Sequence, residues 1–186
     1  MTLPVSTVYR SGVIGFDDDA TIETSRLVLR PLRVADADEM FDVLADPALH
    51  EFTGGEPATL DELRARYAAW VDGSGSPDEL WLNWIVRRSA DAIAVGSVQA
   101  TIIQSDADAE TAALALVAWT IGVSWQGQRY GAEAAVALVE WLIGCGVESI
   151  VAHVHPDHHA SSSVAARAGL RKTSEMSDGE VVWRRG

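Results

Sequence analysis

The chain holds 186 residues, 48% of them hydrophobic, with 14 basic against 27 acidic side chains and a formal net charge of −13. That length and apolar content build one domain with a substantial core and exclude a disordered chain. The charge repels phosphate backbones and excludes nucleic acid as the main partner; it attracts amines and basic peptides, or serves solubility alone.

No apolar run reaches the ~18–20 residues that cross a bilayer, so no membrane partner is expected. The opening MTLPVSTVYRSGVIGFDDD lacks the basic start, apolar centre and small-residue exit of a secretory leader. One cysteine, Cys145, cannot form an internal disulfide, so a reducing cytoplasm is the expected setting and a buried small residue its expected role. Residues 1–23 are read as an N-terminal extension, in which Val8 to Phe16 suits an added strand and Asp17-Asp18-Asp19 a solvated turn. Residues 24–186 form a single domain.

From Thr24 the pattern sharpens. Leu27, Leu29 and Leu32 predict a strand over Ser25–Leu32, closed by Pro31. Ala35 to Glu39 puts acids in the first turn of a helix whose apolar face is Met40, Phe41 and Leu44, stopping before Pro47. A loop over Leu49–Pro57 precedes a second helix, Thr59–Val71, with Leu60, Leu63, Tyr67 and Trp70 on one face. Asp72 to Asp78 is a flexible link. Leu80–Arg87 and Ala92–Ile103 form a hairpin turning at Arg88 to Asp91, and Gln104–Glu110 is an acidic loop.

The stretch from Leu116 to Leu142 organises the chain. Leu116–Val123 has the uncharged, β-branched and aromatic composition of a buried strand. Ser124 to Ala132 is a short link with Gly127 and Gly131. From Ala132 a helix places Ala135, Leu138, Val139 and Leu142 on one face. A strand passing through a glycine turn into a helix aims unpaired N–H groups and the positive end of the helix dipole at one spot, which suits a phosphate. Neither GxxxxGK[ST] nor GxGxxG occurs. Gly144 and Gly146 end the helix; Ser149–His155 is a strand with Ile150, Ala152 and Val154 on one face and Val151, His153 and His155 on the other. Pro156 and Asp157 start a last helix that Gly169 ends, and two short strands turn at Ser177-Asp178-Gly179. This order predicts an α/β (α+β) class: a mixed central sheet of about seven strands with about four helices on its two faces.

Two segments resemble one known family. Trp125-Gln126-Gly127-Gln128-Arg129-Tyr130-Gly131-Ala132-Glu133-Ala134 is similar to the pyrophosphate-binding segment W-Q-G-R-G-Y-A-x-E-A of GNAT-type N-acetyltransferases. Arg129 stands where that family usually has its middle glycine, where it either crowds the phosphate or adds a cation to it. Pro156, Ser161, Val164 and Gly169 match the spacing of the second coenzyme A motif of the ribosomal-protein branch, with His158 in place of asparagine. Thr24 to Leu32 resembles that branch's E-T-x-R-L-x-L-R-x-L opening.

The resemblance implies the GNAT fold, acetyl-CoA as co-substrate and a small-molecule or peptide amine as acceptor, and it leaves a homodimer open. It implies that Gln126, Gln128, Arg129, Tyr130, Gly131, Ala132 and His158 hold the cofactor. Backbone N–H groups between Thr120 and Val123, those of Ile121 and Val123 included, would meet the pantetheine and thioester. Many members carry an acidic tyrosine on the last helix; Ala165 occupies that position, and the branch pattern implies Ser161 instead as stabiliser of the leaving thiolate. A first-turn or capping serine is the alternative for Ser161. No carboxylate or histidine lies between Ala112 and Ser124, so Glu51, His153 and His155 remain as acceptors of the amine proton. A packed or half-exposed histidine pair and a plain surface loop are the alternatives for these. No metal is expected, because His153, His155, His158 and His159 lack cysteine partners and sit on different elements. The leading expectation is an acetyl-CoA-dependent N-acetyltransferase. A degenerate acyl-CoA-binding module without turnover and an unrelated phosphate-binding α/β domain are the alternatives.

Overall fold

The computed structural model describes Phe16, Asp17 and residues 19–103 and 113–186. The strand expected over Val8–Phe16 lies outside them except for Phe16, and so does the acidic loop Gln104–Glu110. The described chain runs β1 (Ile22–Glu23), β2 (Leu27–Pro31), α1 (Ala37–Leu44), α2 (Leu60–Asp72), β3 (Glu79–Arg88), β4 (Ala94–Ile103), β5 (Leu114–Ile121), α3 (Tyr130–Gly144), β6 (Ser149–Val154), α4 (His159–Arg167), β7 (Arg171–Ser177) and β8 (Glu180–Arg185). One eight-stranded sheet has the order β1-β2-β3-β4-β5-β6-β8-β7. Its neighbours are antiparallel except β5 and β6, which the α3 crossover makes parallel. The expected fold class holds. The eighth strand is β1, two residues long and therefore without a readable period.

The alternation along β3 separates two cores. Leu82, Trp84 and Val86 face a layer built by α3 and α4, with Ala134, Ala135, Leu138, Val139, Leu142 and Ala165. Ile85 faces the other side, where Ala37, Met40, Leu63 and Tyr67 bring α1 and α2 onto the sheet. Phe16 and Ile22, which precede Thr24, are packed into the first core. Trp84 donates its indole N–H to the Ala20 carbonyl at 2.8 Å and meets Trp141 edge-on. The second core includes one buried charge: Asp36 is paired with Arg30 and Arg87 and accepts the Arg33 N–H at 2.8 Å. Cys145 is half-buried, and burial pushes its thiol pKa up. No helix among the described residues is long and apolar enough to cross a membrane.

Element boundaries moved where a side chain competes with the backbone. The strand expected from Ser25 starts at Leu27, because the Thr24 hydroxyl accepts the N–H groups of Leu27 and Arg26 and holds residues 24–26 in a turn. Thr59 heads α2 as a cap, with Glu62 closing a capping box, so the helix proper begins at Leu60. The expected loop after α1 contains a 3-10 turn, Pro47–His50, capped by Asp46. The expected strand over Leu116–Val123 is shifted to Leu114–Ile121, since Val123–Trp125 winds into a 3-10 turn.

The beginning of β2 and the beginning of α3 are joined through one carboxylate. Glu133 accepts from Thr24 Oγ1 at 2.6 Å, from the Arg26 N–H at 3.0 Å and from Arg26 Nε at 2.7 Å. Burial alone would raise its pKa; the hydrogen bonds from Thr24 and Arg26 outweigh this and hold it below the ordinary value of 4.5. A carboxylate depressed in the folded state stabilises at pH above its unfolded pKa, and that contribution is lost as pH falls through the folded value. Glu133→Gln is therefore expected to cost about 1–3 kcal/mol near neutral pH, with the gap to wild type narrowing as pH drops below 4.5. Chemical denaturation of both proteins across that range measures it, and a gap independent of pH would show that the charge contributes nothing.

Candidate active site

β5 and β6 pair over three positions only, Leu114 with Ser149, Ala115 with Ile150 and Leu116 with Val151, and then diverge. On its other edge β5 stays paired with β4 to Ile121. Gly122 donates its N–H to the Val95 carbonyl at 2.9 Å, continuing the register that pairs Ile121 with Gly96. Gly122 and Val95 are thus a hydrogen-bonded pair, and alternation turns the main-chain groups of Ile121, Trp119 and Val117 away from β4, toward β6. Beyond Leu116 no β6 residue is in register with them. The Ile121 carbonyl accepts the Gln126 side-chain amide at 3.0 Å. The N–H groups of Trp119 and Ile121 line the gap. Obligatory donors at an open strand edge suit an extended chain bearing its own amides.

Past Ile121 the chain turns sharply into α3. Gly127 (φ 75°) and Arg129 (φ 66°) both adopt the left-handed conformation, with Gln128 between them. Glycine takes that conformation freely, whereas Arg129 does so at a cost of about 1–2 kcal/mol. The expected start of α3 at Ala132 is corrected to Tyr130, because Arg129 completes the turn and serves as N-cap. The N–H groups of Tyr130, Gly131 and Ala132 therefore begin the helix without intrahelical acceptors, which makes an anion site together with the helix dipole. The Tyr130 side chain is buried beneath the Arg26 guanidinium, 4.9 Å from the ring centre. A Cβ on Gly131 would lie 3.3 Å from Ile121 Cγ1 and 3.6 Å from Val164 Cγ2, so this glycine lets β5, α3 and α4 approach closely. Arg129, Ala132, Arg26 and Arg167 line a cleft of ≈ 490 Å³ beside this helix start. Among the described residues Arg129 and Arg167 have no carboxylate within ion-pair distance, whereas Arg26 and Arg88 are paired.

The α4 side supplies the hydroxyl and the imidazoles. Ser161 is not the helix cap: His158 occupies that position, without a side-chain cap bond. The Ser161 hydroxyl instead accepts the Trp119 indole N–H at 3.0 Å. Phe52, from the segment after α1, stacks on His158 at 4.4 Å and lies tilted against His155 at 5.3 Å. This packing brings the neighbouring Glu51 carboxylate close enough to act on His158. Burial lowers the His158 pKa, Glu51 partly offsets this, and His155 reinforces it, so the ring is neutral near pH 7 and keeps one donor and one acceptor nitrogen. The Asp157 N–H donates to His155 Nδ1 at 3.2 Å. While that bond holds, a neutral His155 has no lone pair free to take a proton.

The structure thus gathers Ile121, Gln126, Gln128, Arg129, Gly131 and Ala132 at one turn, and Glu51, His158 and Ser161 around the start of α4. His153 stands apart. Its neighbours Ala152 and Val154 face the α3–α4 core, so alternation puts it on the opposite sheet face, in a groove with Glu175 and Arg184. Val123 is exposed at the head of its 3-10 turn. Two residues not singled out from the sequence belong to the site, Trp119 and Phe52. An aromatic in an apolar strand reads as core, but the indole N–H of Trp119 needed an acceptor, and that need was the available signal.

The family model described as an acetyltransferase (GNAT) domain matches residues 26–171. No curated protein matches the chain. Among solved structures it is similar to an acetyltransferase of Agrobacterium tumefaciens, at 26% identity and TM-score 0.64 over 98% of this chain and 99% of that one. It is also similar to AAC(6')-Ib in complex with paromomycin and acetyl-CoA, at 18% identity and TM-score 0.69 over 86% and 92%. RimL, a ribosomal-protein α-N-acetyltransferase in complex with coenzyme A, aligns at 18% identity and TM-score 0.67 over 89% and 97%. These last two likenesses speak for the fold. With the match covering most of the chain, and with the strand, turn and helix of its central segment in place, the chain belongs to the GNAT acetyltransferase family.

Proposed function

We propose that this chain transfers the acetyl group of acetyl-CoA directly to a primary amine, of a protein N-terminus or of a small molecule. The observation that carries the proposal is the open edge of β5 running into the N-terminus of α3, where strand amides are followed by an anion site. Pantetheine amides pair along Trp119 and Ile121, and the pyrophosphate rests on the turn from Gln126 to Ala132. Neutral His158 adds a hydrogen bond at the start of α4. The amine nitrogen attacks the thioester carbon, the C–N bond forms, and the C–S bond breaks with its electron pair going to sulfur. The proton shed by the amine ends on sulfur, giving amide and coenzyme A. Ser161 donates a hydrogen bond to the sulfur as charge develops there. Of the expected proton acceptors, His153 lies on the opposite sheet face and His155 Nδ1 is engaged by the Asp157 N–H, so Glu51 takes the amine proton through water. The net charge of −13 favours cationic acceptors, and the single half-buried cysteine fits a cytoplasmic setting.

Incubation with acetyl-CoA and a panel of amines and N-terminal peptides, following free thiol, tests the activity. Turnover is expected. Saturable binding without turnover would mark a degenerate acyl-CoA-binding module, and absence of binding would overturn the cofactor assignment.

Arg129 tests the anion site more cleanly than Gly131, where a branched side chain would press on Ile121 and Val164 whatever binds. A residue held in left-handed backbone at some cost to stability suggests use of its side chain. Arg129→Gly is expected to raise the melting temperature, consistent with relief of about 1 kcal/mol of strain. It should also weaken acetyl-CoA binding by roughly 3- to 10-fold, with a shallower salt dependence. Tighter binding would make Arg129 an obstruction.

Ser161→Ala is expected to lower kcat by roughly 10- to 100-fold, or about 1.4–2.7 kcal/mol. KM for acetyl-CoA should be nearly unchanged, because the bond strengthens only as sulfur becomes charged. The hydroxyl caps nothing, but its loss leaves the Trp119 indole N–H without its acceptor, so the melting temperature should fall modestly, as for loss of about 1 kcal/mol. An unaltered kcat would remove Ser161 from the mechanism.

A further inference from the structure

Trp119 lies three residues beyond Leu116, the last β5 residue paired with β6. It shares the parity of Ala115 and Val117, so its ring leans on the α3–α4 core. From there its indole N–H donates to Ser161 Oγ at 3.0 Å, tying β5 to α4 across the gap between β5 and β6. An indole nitrogen can only donate, so this bond occupies one lone pair of the hydroxyl and turns the Ser161 proton elsewhere. Among the described residues the hydroxyl has no acceptor of its own. Without the indole, a serine in a helix is free to rotate and donate to the carbonyl one turn back, here that of Asp157.

Resting on the Ser161 role proposed above, we infer that Trp119 is a positioning residue for thiolate departure: its N–H fixes the Ser161 hydroxyl so that the proton is presented to the sulfur of bound coenzyme A. A donor into the hydroxyl also strengthens the bond that the hydroxyl makes, by about 10–30%. If Trp119 merely packed α4 onto the sheet, its loss would lower stability without touching the acidity of the sulfur.

The bound coenzyme A thiol reports this directly and needs no acceptor. A hydrogen bond donated to the thiolate favours the charged form, so the thiol ionises at lower pH than in free coenzyme A. The ultraviolet absorbance of the thiolate, titrated in the complex with coenzyme A, measures that acidity. Ser161→Ala is expected to reduce the acid constant of the bound thiol by roughly 10- to 100-fold, as for loss of one hydrogen bond to a charged group. Trp119→Phe keeps an aromatic ring but no N–H, and should reduce it by roughly 3-fold. The double variant should fall no further than Ser161→Ala alone, since both substitutions act on one bond. Affinity for coenzyme A below the thiol pKa should stay within about twofold in every variant, for the interaction serves only the charged form.

A wild-type acidity in Trp119→Phe, with Ser161→Ala impaired, overturns the inference and leaves the Ser161 role standing. Unchanged acidity in Ser161→Ala overturns both, and so does failure of the wild type to bind coenzyme A. Should Trp119→Phe not fold, the Trp119 indole N–H resonance of the wild-type complex decides: it is expected to titrate with the thiol, and a resonance indifferent to thiol ionisation overturns the coupling.

Discussion

β5 is satisfied along one edge and open along the other for most of its length, and the site follows from that asymmetry. A strand in the middle of a sheet normally has both rows of main-chain groups paired. Here β6 leaves after Val151, while β5 continues for five residues beyond Leu116 under the hold of β4. The divergence is built into the connections. β6 pairs with β8 along all but its first residue, from Ile150 with Arg185 to Val154 with Val181. Helices α3 and α4 fill the wedge from one side, with Ala134, Ala135 and Ala165 as the small residues that permit close approach. What remains is a row of donors inside the fold and not at its rim, where another protein chain could add to it.

An open strand edge is useful only if the anion site beyond it is held in register, and the Glu133 carboxylate supplies that. It fastens the turn at Thr24–Arg26 to the first turn of α3, while Arg26 also donates to the Gln128 carbonyl at 3.2 Å and covers Tyr130. Arg88, paired with Asp91, lies over Trp125 on the other side of the same turn, 4.8 Å from its ring centre. Two of the sequence segments that resemble the family are therefore one physical unit: the opening strand's Thr24 and Arg26 exist largely as partners of Glu133 and the turn before it.

Much of the fold was legible because most elements are long enough to show a period. The faces of β6 and α3 were each assigned correctly from spacing, and the last hairpin from its turn residues. What was not legible came from contacts distant in sequence or from conformation. Two residues of β1 carry no period. Nothing in the letters of Gln128-Arg129-Tyr130 says that an arginine accepts left-handed backbone; the glycine expected there is the only trace. The separation of His153 from Ser161 follows from which face of β6 meets α4, a tertiary fact. The bond from Trp119 to Ser161 spans 42 positions and could not be read from either local pattern. Glu51 was singled out from the sequence, but not the means of placing it: Phe52, by stacking on His158, brings the segment after α1 to the start of α4.

An acidic protein that binds a highly charged anion has to solve the problem locally. With 27 carboxylates against 14 cations, most arginines near the site are already committed: Arg26 to Glu133, Arg88 to Asp91, Arg30 and Arg87 to Asp36. Those pairs neutralise each other and leave little field for a ligand. Of the three arginines lining the cleft beside the α3 N-terminus, which Glu23, Glu133 and Glu140 also line, Arg129 and Arg167 are in no ion pair among the described residues. Backbone N–H groups carry no counter-ion and cannot be neutralised by the surrounding acids, which makes the turn the more dependable half of the site. On the proposed reading, the strained arginine at its centre adds the one element that glycine cannot, a full positive charge placed by the same backbone conformation that aims the amides.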